Sequence, residues 1–132
     1  MANTRIIRGL FLVAALYDGI LGILFSLMPD RLFHILGITP PNHFGYVQFP
    51  AALLIVFAYM FWNISRDPAK GRALIPYGIL LKASYCIVVF GYWLASSIPA
   101  PWKPFAVCDF SFMLCFIWAY KNLASSACCN AA

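Results

Sequence analysis

The sequence predicts an all-α fold, an up-down-up-down bundle of four membrane-spanning helices, and three observations carry that prediction. Hydrophobic residues make up 64% of the 132 residues and charged residues only 10%, whereas a globular domain carries about 25% charged. The apolar residues fall into four long runs separated by short polar or Pro-rich stretches. Three ionisable residues, Asp18, Lys82 and Asp109, lie inside those runs and not between them. A soluble domain this small buries too little of its surface to hide so much apolar area, so the surplus is expected to face lipid. Length and pattern give one membrane domain, residues 1–121, followed by a small polar tail, 122–132, expected to be flexible and cytoplasmic.

The first span is expected over 6–28, with Asn3 or Thr4 as its cap. At about 1.5 Å per residue it reaches roughly 34 Å, enough for a hydrocarbon core of about 30 Å. Arg5 and Arg8 precede it, as in a signal peptide, but the run is too long for such a segment and lacks a small-x-small cleavage site. It is therefore read as a permanent span. Ala15, Gly19 and Gly22 share a helical side with Asp18 and let another backbone approach closely, so the carboxylate lies on the packing face. Pro29 ends the run. Asp30 is the expected N-cap of a short amphipathic interfacial helix over 31–36, closed by Gly37, with Leu32, Phe33, Ile35 and Leu36 on its apolar side and Arg31 and His34 turned to water.

Thr39 to His43 reads as a rigid turn around Pro40 and Pro41. The second span is expected over 46–64, with Pro50 near its start. Ser65 to Arg72 is a polar connection in which Asp67 caps a helical turn and the bases anchor to headgroups. The third span, 73–95, has Pro76 in its first turn and Lys82 near its centre. A Pro-rich loop over 96–103 presents Trp102 as an interface anchor. The fourth span, 104–120, opens on Pro104.

Net charge is +5. In a soluble protein that balance suggests nucleic acid; here the bases are topology signals and no nucleic-acid partner is expected. Arg5, Arg8, Arg66, Lys70, Arg72 and Lys121 flank one side of the spans and Arg31 and Lys103 the other. The positive-inside rule then puts both termini in the cytoplasm.

A charge inside a span is costly unless paired or hydrated, and it marks a ligand, ion or proton path by default. With the helices antiparallel, Asp18 lies about 15 Å in from the outer face, Lys82 about 20 Å and Asp109 about 8 Å. Lysine reaches about 6 Å beyond its Cα, which brings Lys82 to Asp18 directly and to Asp109 through water or a ligand. The expected ligand-binding site is a polar pocket open to the extracytoplasmic side. Asp18 and Lys82 form its floor, and Gln48, Tyr85 and Asp109 flank it, with Tyr92 on the same face of the third span. The competing expectation is a structural ion pair. Two acids on one base leave a surplus negative charge, which suits proton handling or a cationic guest.

Other chemistries find little in the chain. No metal site is expected, because Cys86, Cys108 and Cys115 show no C-x-x-C pair and no Cys/His spacing that suits zinc. His34 and His43 are the only histidines and both fall outside the spans, so axial heme ligands are lacking. No Ser/His/Asp or Cys/His set can be assembled. Cys128 and Cys129 follow the last span, where acylation is a minor expectation.

The residues Leu16-Tyr17-Asp18-Gly19, Gln48, Arg66-Asp67-Pro68, Gly78-Ile79-Leu80-Leu81-Lys82 and Asp109 together resemble the small bacterial four-helix membrane proteins of the broad DoxX-like type, over residues 5–120. The resemblance implies a link to quinone-coupled sulfur oxidation or to partner oxidoreductases, and makes a quinone head group a candidate guest; no other cofactor is expected. The functional expectation is a membrane protein that binds a small or lipophilic molecule, quinone-like or a proton-coupled solute. Its rival is a non-catalytic accessory subunit of a larger membrane complex, and a homo-oligomer is a further partner state. A membrane enzyme acting on lipid has only the acid and base residues to recommend it.

Overall fold

The computed structural model of the protein describes the backbone of residues 2–130 and the side chains of residues 3–123. It is all-helical among those residues. The elements are α1 (Ala2–Leu27), α2 (Pro29–Leu36), α3 (Gly45–Arg66), α4 (Pro68–Gly71), a 3-10 turn (Arg72–Leu74), α5 (Ile75–Ala95) and α6 (Trp102–Asn130). Four stretches are long and apolar enough to cross a membrane: Asn3–Leu27, Gly45–Arg66, Pro68–Ala95 and Trp102–Leu123.

Several boundaries differ from the sequence expectation for local reasons. Asn3 does not cap α1; it lies within the helix and its amide donates to the Asn122 side-chain oxygen at 3.2 Å. Asp30 does not cap α2 either. Pro29 takes the first helical position, where its missing N–H costs nothing, and pushes Asp30 into the first turn. Gly37 closes α2 as expected, at φ 64°, a backbone conformation that disfavours a Cβ. Gly45 opens α3, its N–H donating to His43 Nδ1 at 3.0 Å, so Pro50 falls inside the helix and not at its start. Helix α6 starts at Trp102 and its backbone continues past Tyr120 to Asn130. Cys128 and Cys129 lie outside the residues whose side chains are described.

Asp67 caps α4 as expected. Its Oδ1 accepts from the Lys70 backbone N–H at 3.2 Å, and this bond, with the Lys70 charge, holds its carboxyl below the usual carboxylate range. A carboxyl lowered in the folded state stabilises above its unfolded value of about 3.9, and that contribution is lost as pH falls through the folded value. Acidification below about pH 4 should therefore remove a component of stability that Asp67→Ala lacks. At neutral pH, melting temperatures should rank wild type, then Asp67→Asn, which keeps an acceptor, then Asp67→Ala.

The core is tiered. At one end Phe11, Phe61 and Phe116 meet, with ring centroids 4.6 Å apart for Phe11–Phe116 and 5.1 Å for Phe61–Phe116, beside Ile7, Ile64, Ile75 and Ala119. At the other end α2 folds back over the bundle. Phe33 packs on Phe25 and Trp102 with centroids 6.4 and 6.1 Å away, and Leu32 and Leu36 join them. Ile35 is exposed, and Trp102 is half-buried against Phe25 and Phe33.

Helix α1 packs chiefly on α3, and α5 on α6. The small residues explain the first pairing. A Cβ on Gly22 would stand 2.7 Å from both the Ala51 carbonyl oxygen and Ile55 Cγ1, while one on Gly19 would meet Ala58 Cβ at an ordinary 3.5 Å. The side of α1 that carries Asp18 is thus its packing side.

Candidate functional site

Between the two apolar tiers lies a charged one. The Lys82 ammonium on α5 donates to Asp18 Oδ1 on α1 at 2.6 Å and to Asp109 Oδ1 on α6 at 3.0 Å. Lys82 is 0% exposed, Asp18 1% and Asp109 8%. Each side chain is aimed inward by its helix's apolar periodicity. Lys82 shares a face with buried Gly78, Cys86 and Val89, at spacings of about one and two turns. Asp18 follows Phe11, Ala14 and Ala15, and Asp109 stands between Ala106 and Phe116.

Aromatic rings complete the surroundings. The ammonium lies 5.2 Å from the Tyr17 ring centroid and 5.5 Å from that of Phe112, and the two rings are 5.4 Å apart. Both distances fall within the range of about 6 Å at which a ring face attracts a cation. At the triad, Asp18 Oδ2 and Tyr17 Oη are buried and have no hydrogen-bond partner, and the same holds for Ser26 Oγ farther along α1. A buried polar atom without a partner costs about 1–3 kcal/mol, which most native interiors avoid.

Of the residues singled out in the sequence, Asp18, Lys82 and Asp109 come together. Contact with Asp109 is direct, without an intervening group. Tyr85 is half-buried one turn along α5, its hydroxyl donating to the Trp102 carbonyl at 3.4 Å, which ties the neighbouring aromatic tier to the triad's helix. Gln48 stands apart from the triad. It is exposed, and its amide donates to the Ser26 carbonyl at 3.0 Å, about 12 Å along α1 from Asp18. Tyr92 is also away from it, because residues 91–97 are exposed where α5 ends.

Two residues of the site were not read from the sequence. Tyr17 adjoins Asp18, and a hydroxyl inside an apolar run is a signal as informative as a charge. Phe112 follows Asp109 by three positions, on the same helical face, but nothing in its type separates it from the many other phenylalanines.

Chemically, the arrangement is a closed, water-poor cluster of two carboxylates on one ammonium. It can hold a proton, or exchange hydrogen bonds with a guest at Asp18 Oδ2 and Tyr17 Oη. Comparison with family models, curated proteins and solved structures finds no match to this chain.

Proposed function

We propose that the chain is an integral membrane protein that binds a small or lipophilic molecule carrying a hydrogen-bond donor at the Asp18–Lys82–Asp109 triad. In this reading the four apolar stretches cross a bacterial inner membrane up-down-up-down, with both termini cytoplasmic. The six-to-two division of the flanking bases supports that orientation, and the short connections support antiparallel neighbours.

The observation that carries the binding reading is the pair of orphaned polar atoms, Asp18 Oδ2 and Tyr17 Oη. A donor on the guest would satisfy the carboxylate oxygen, and the tyrosine hydroxyl could give or accept a second bond. The surplus carboxylate favours a guest that brings a proton or a positive charge. The resemblance to DoxX-like proteins adds a quinone head group in its reduced, hydroxylated form as a candidate, although likeness of fold does not set function. The triad is packed shut, so entry requires the helices around it to part, and Asp109 is its most accessible member.

Native mass spectrometry of protein extracted gently from its own membrane tests this. A reproducible bound mass is expected, and it should fall several-fold in Tyr17→Phe, which removes one orphaned atom and little packing. An empty wild-type protein, or a bound mass indifferent to Tyr17→Phe, would sink the reading.

A second reading draws on the closure of the triad, with both Lys82 bonds buried and the one to Asp18 short at 2.6 Å. That geometry suits a structural ion cluster in a non-catalytic subunit of a larger membrane complex. Membrane subunits that co-purify at fixed stoichiometry would favour it, and a stable homo-oligomer or monomer without them would count against it.

A further inference from the structure

Six basic side chains and one acidic one, a net +5, fall at one end of the bundle, against two basic and one acidic, a net +1, at the other. The Asn3–Asn122 hydrogen bond joins the start of α1 to α6, and the Arg72 guanidinium lies 4.1 Å over the Tyr120 ring. Helix α4 packs on α1, and Gly71 lies against Ile64 near the end of α3. These contacts bring Arg5, Arg8, Arg66, Lys70, Arg72 and Lys121 to a common level. Among them Arg5, Arg8, Arg66, Lys70 and Lys121 are exposed, and Arg72 is half-buried. Among the described residues the acid at this end is Asp67, which accepts from the Lys70 backbone N–H and lies 3.5 Å from the Lys70 ammonium.

A second observation separates the partners such a surface might take. Just inside the bases, exposed aromatic side chains with polar edges stand on three different helices: Trp62 on α3, Tyr77 on α5 and Trp118 on α6, with 46%, 59% and 40% of their surface open. They lie about 5–8 Å along their helices from Arg66, Arg72 and Lys121. Amphipathic rings at one level on several helices, outward-facing and flanked by bases, match a lipid headgroup layer with its phosphates above and acyl chains below. A soluble acidic partner would need the bases but would leave the rings unexplained.

We propose that this base-rich end is a docking surface for anionic phospholipid headgroups, held by Arg5, Arg8, Arg66 and Lys70. The proposal rests on the membrane reading above and adds a lipid preference to it. Attraction to a charged surface is worth about fivefold in affinity for each base near it, and it weakens as salt screens it.

The test is reconstitution of the full chain in bilayer discs of equimolar phosphatidylglycerol and phosphatidylcholine, followed by mass spectrometry of the lipids retained. Retained phosphatidylglycerol should exceed phosphatidylcholine several-fold at low salt. Replacement of Arg5, Arg8, Arg66 and Lys70 by Gln should bring the ratio near one, whereas Arg31→Gln with Lys103→Gln, at the opposite end, should leave it unchanged. Raised salt should lower the ratio for the wild type, which keeps the test valid if the fourfold variant misfolds. Equal retention by the wild type at low salt overturns the proposal, as does a ratio that falls as far in the Arg31/Lys103 variant. A protein that does not enter the discs at all overturns the membrane reading instead.

Discussion

Lys82→Met should be the most damaging single substitution in the chain, costing about 3–5 kcal/mol, the range seen when one partner of a buried ion pair is removed. It would leave Asp18 and Asp109 buried beside each other with no counter-charge. The packing loss is small, since Met keeps most of the lysine stem's volume; the penalty is electrostatic. Combining Lys82→Met with Asp18→Leu and Asp109→Leu should restore most of the stability, because apolar replacement of a whole buried ion cluster is often neutral or stabilising. Reversible unfolding of the detergent-solubilised variants, followed by tryptophan fluorescence, measures both. If Lys82→Met unfolds with the wild type, the ammonium is not what makes the two carboxylates tolerable. The fully apolar variant also separates stability from binding: under the proposed function it folds and retains no guest.

The second large effect is steric. Gly22→Ala should destabilise the α1–α3 pairing by about 1–3 kcal/mol, the usual cost of overpacking. Its Cβ would be blocked by the Ala51 carbonyl and flanked by the Ile55 backbone nitrogen at 3.1 Å, and backbone atoms cannot rotate away as a side-chain tip can. Gly19→Ala, one turn earlier, meets only a methyl at 3.5 Å and should change stability little. Melting temperatures of the two variants, prepared identically, would decide the matter. Equal losses would mean that the mid-helix glycines matter through backbone freedom and not through close approach. Because Asp18 lies one turn before Gly22 on the same side, a displaced α1 should also lengthen the Lys82–Asp18 contact.

The three ionisable residues of the site were legible in the sequence for an energetic reason. An unpaired charge in an apolar run is so costly that some partner must exist, and Lys82 with two aspartates leaves few ways to supply one. Helix number followed from the lengths of the apolar runs, and the Gly19/Gly22 side of α1 from its small residues. Those are properties of composition and spacing along one helix at a time.

Which atoms meet is a property of several helices together. Lys82 reaches Asp109 without an intermediary because α5 packs directly on α6 with the two side chains on facing sides, while Trp102 at the start of α6 packs on Phe25 and Phe33. Gln48 leaves the triad because the close approach at Gly22 sets the register of α3 against α1, which delivers its amide to the Ser26 carbonyl. Tyr17 enters the site only once α6 brings Phe112 against its ring. The sequence by itself determined that these charges must be paired, since that demand follows from the apolar run around each of them. Tertiary structure alone decided the depth, rotation and partners of each side chain, since these depend on contacts between helices that no single run of residues encodes.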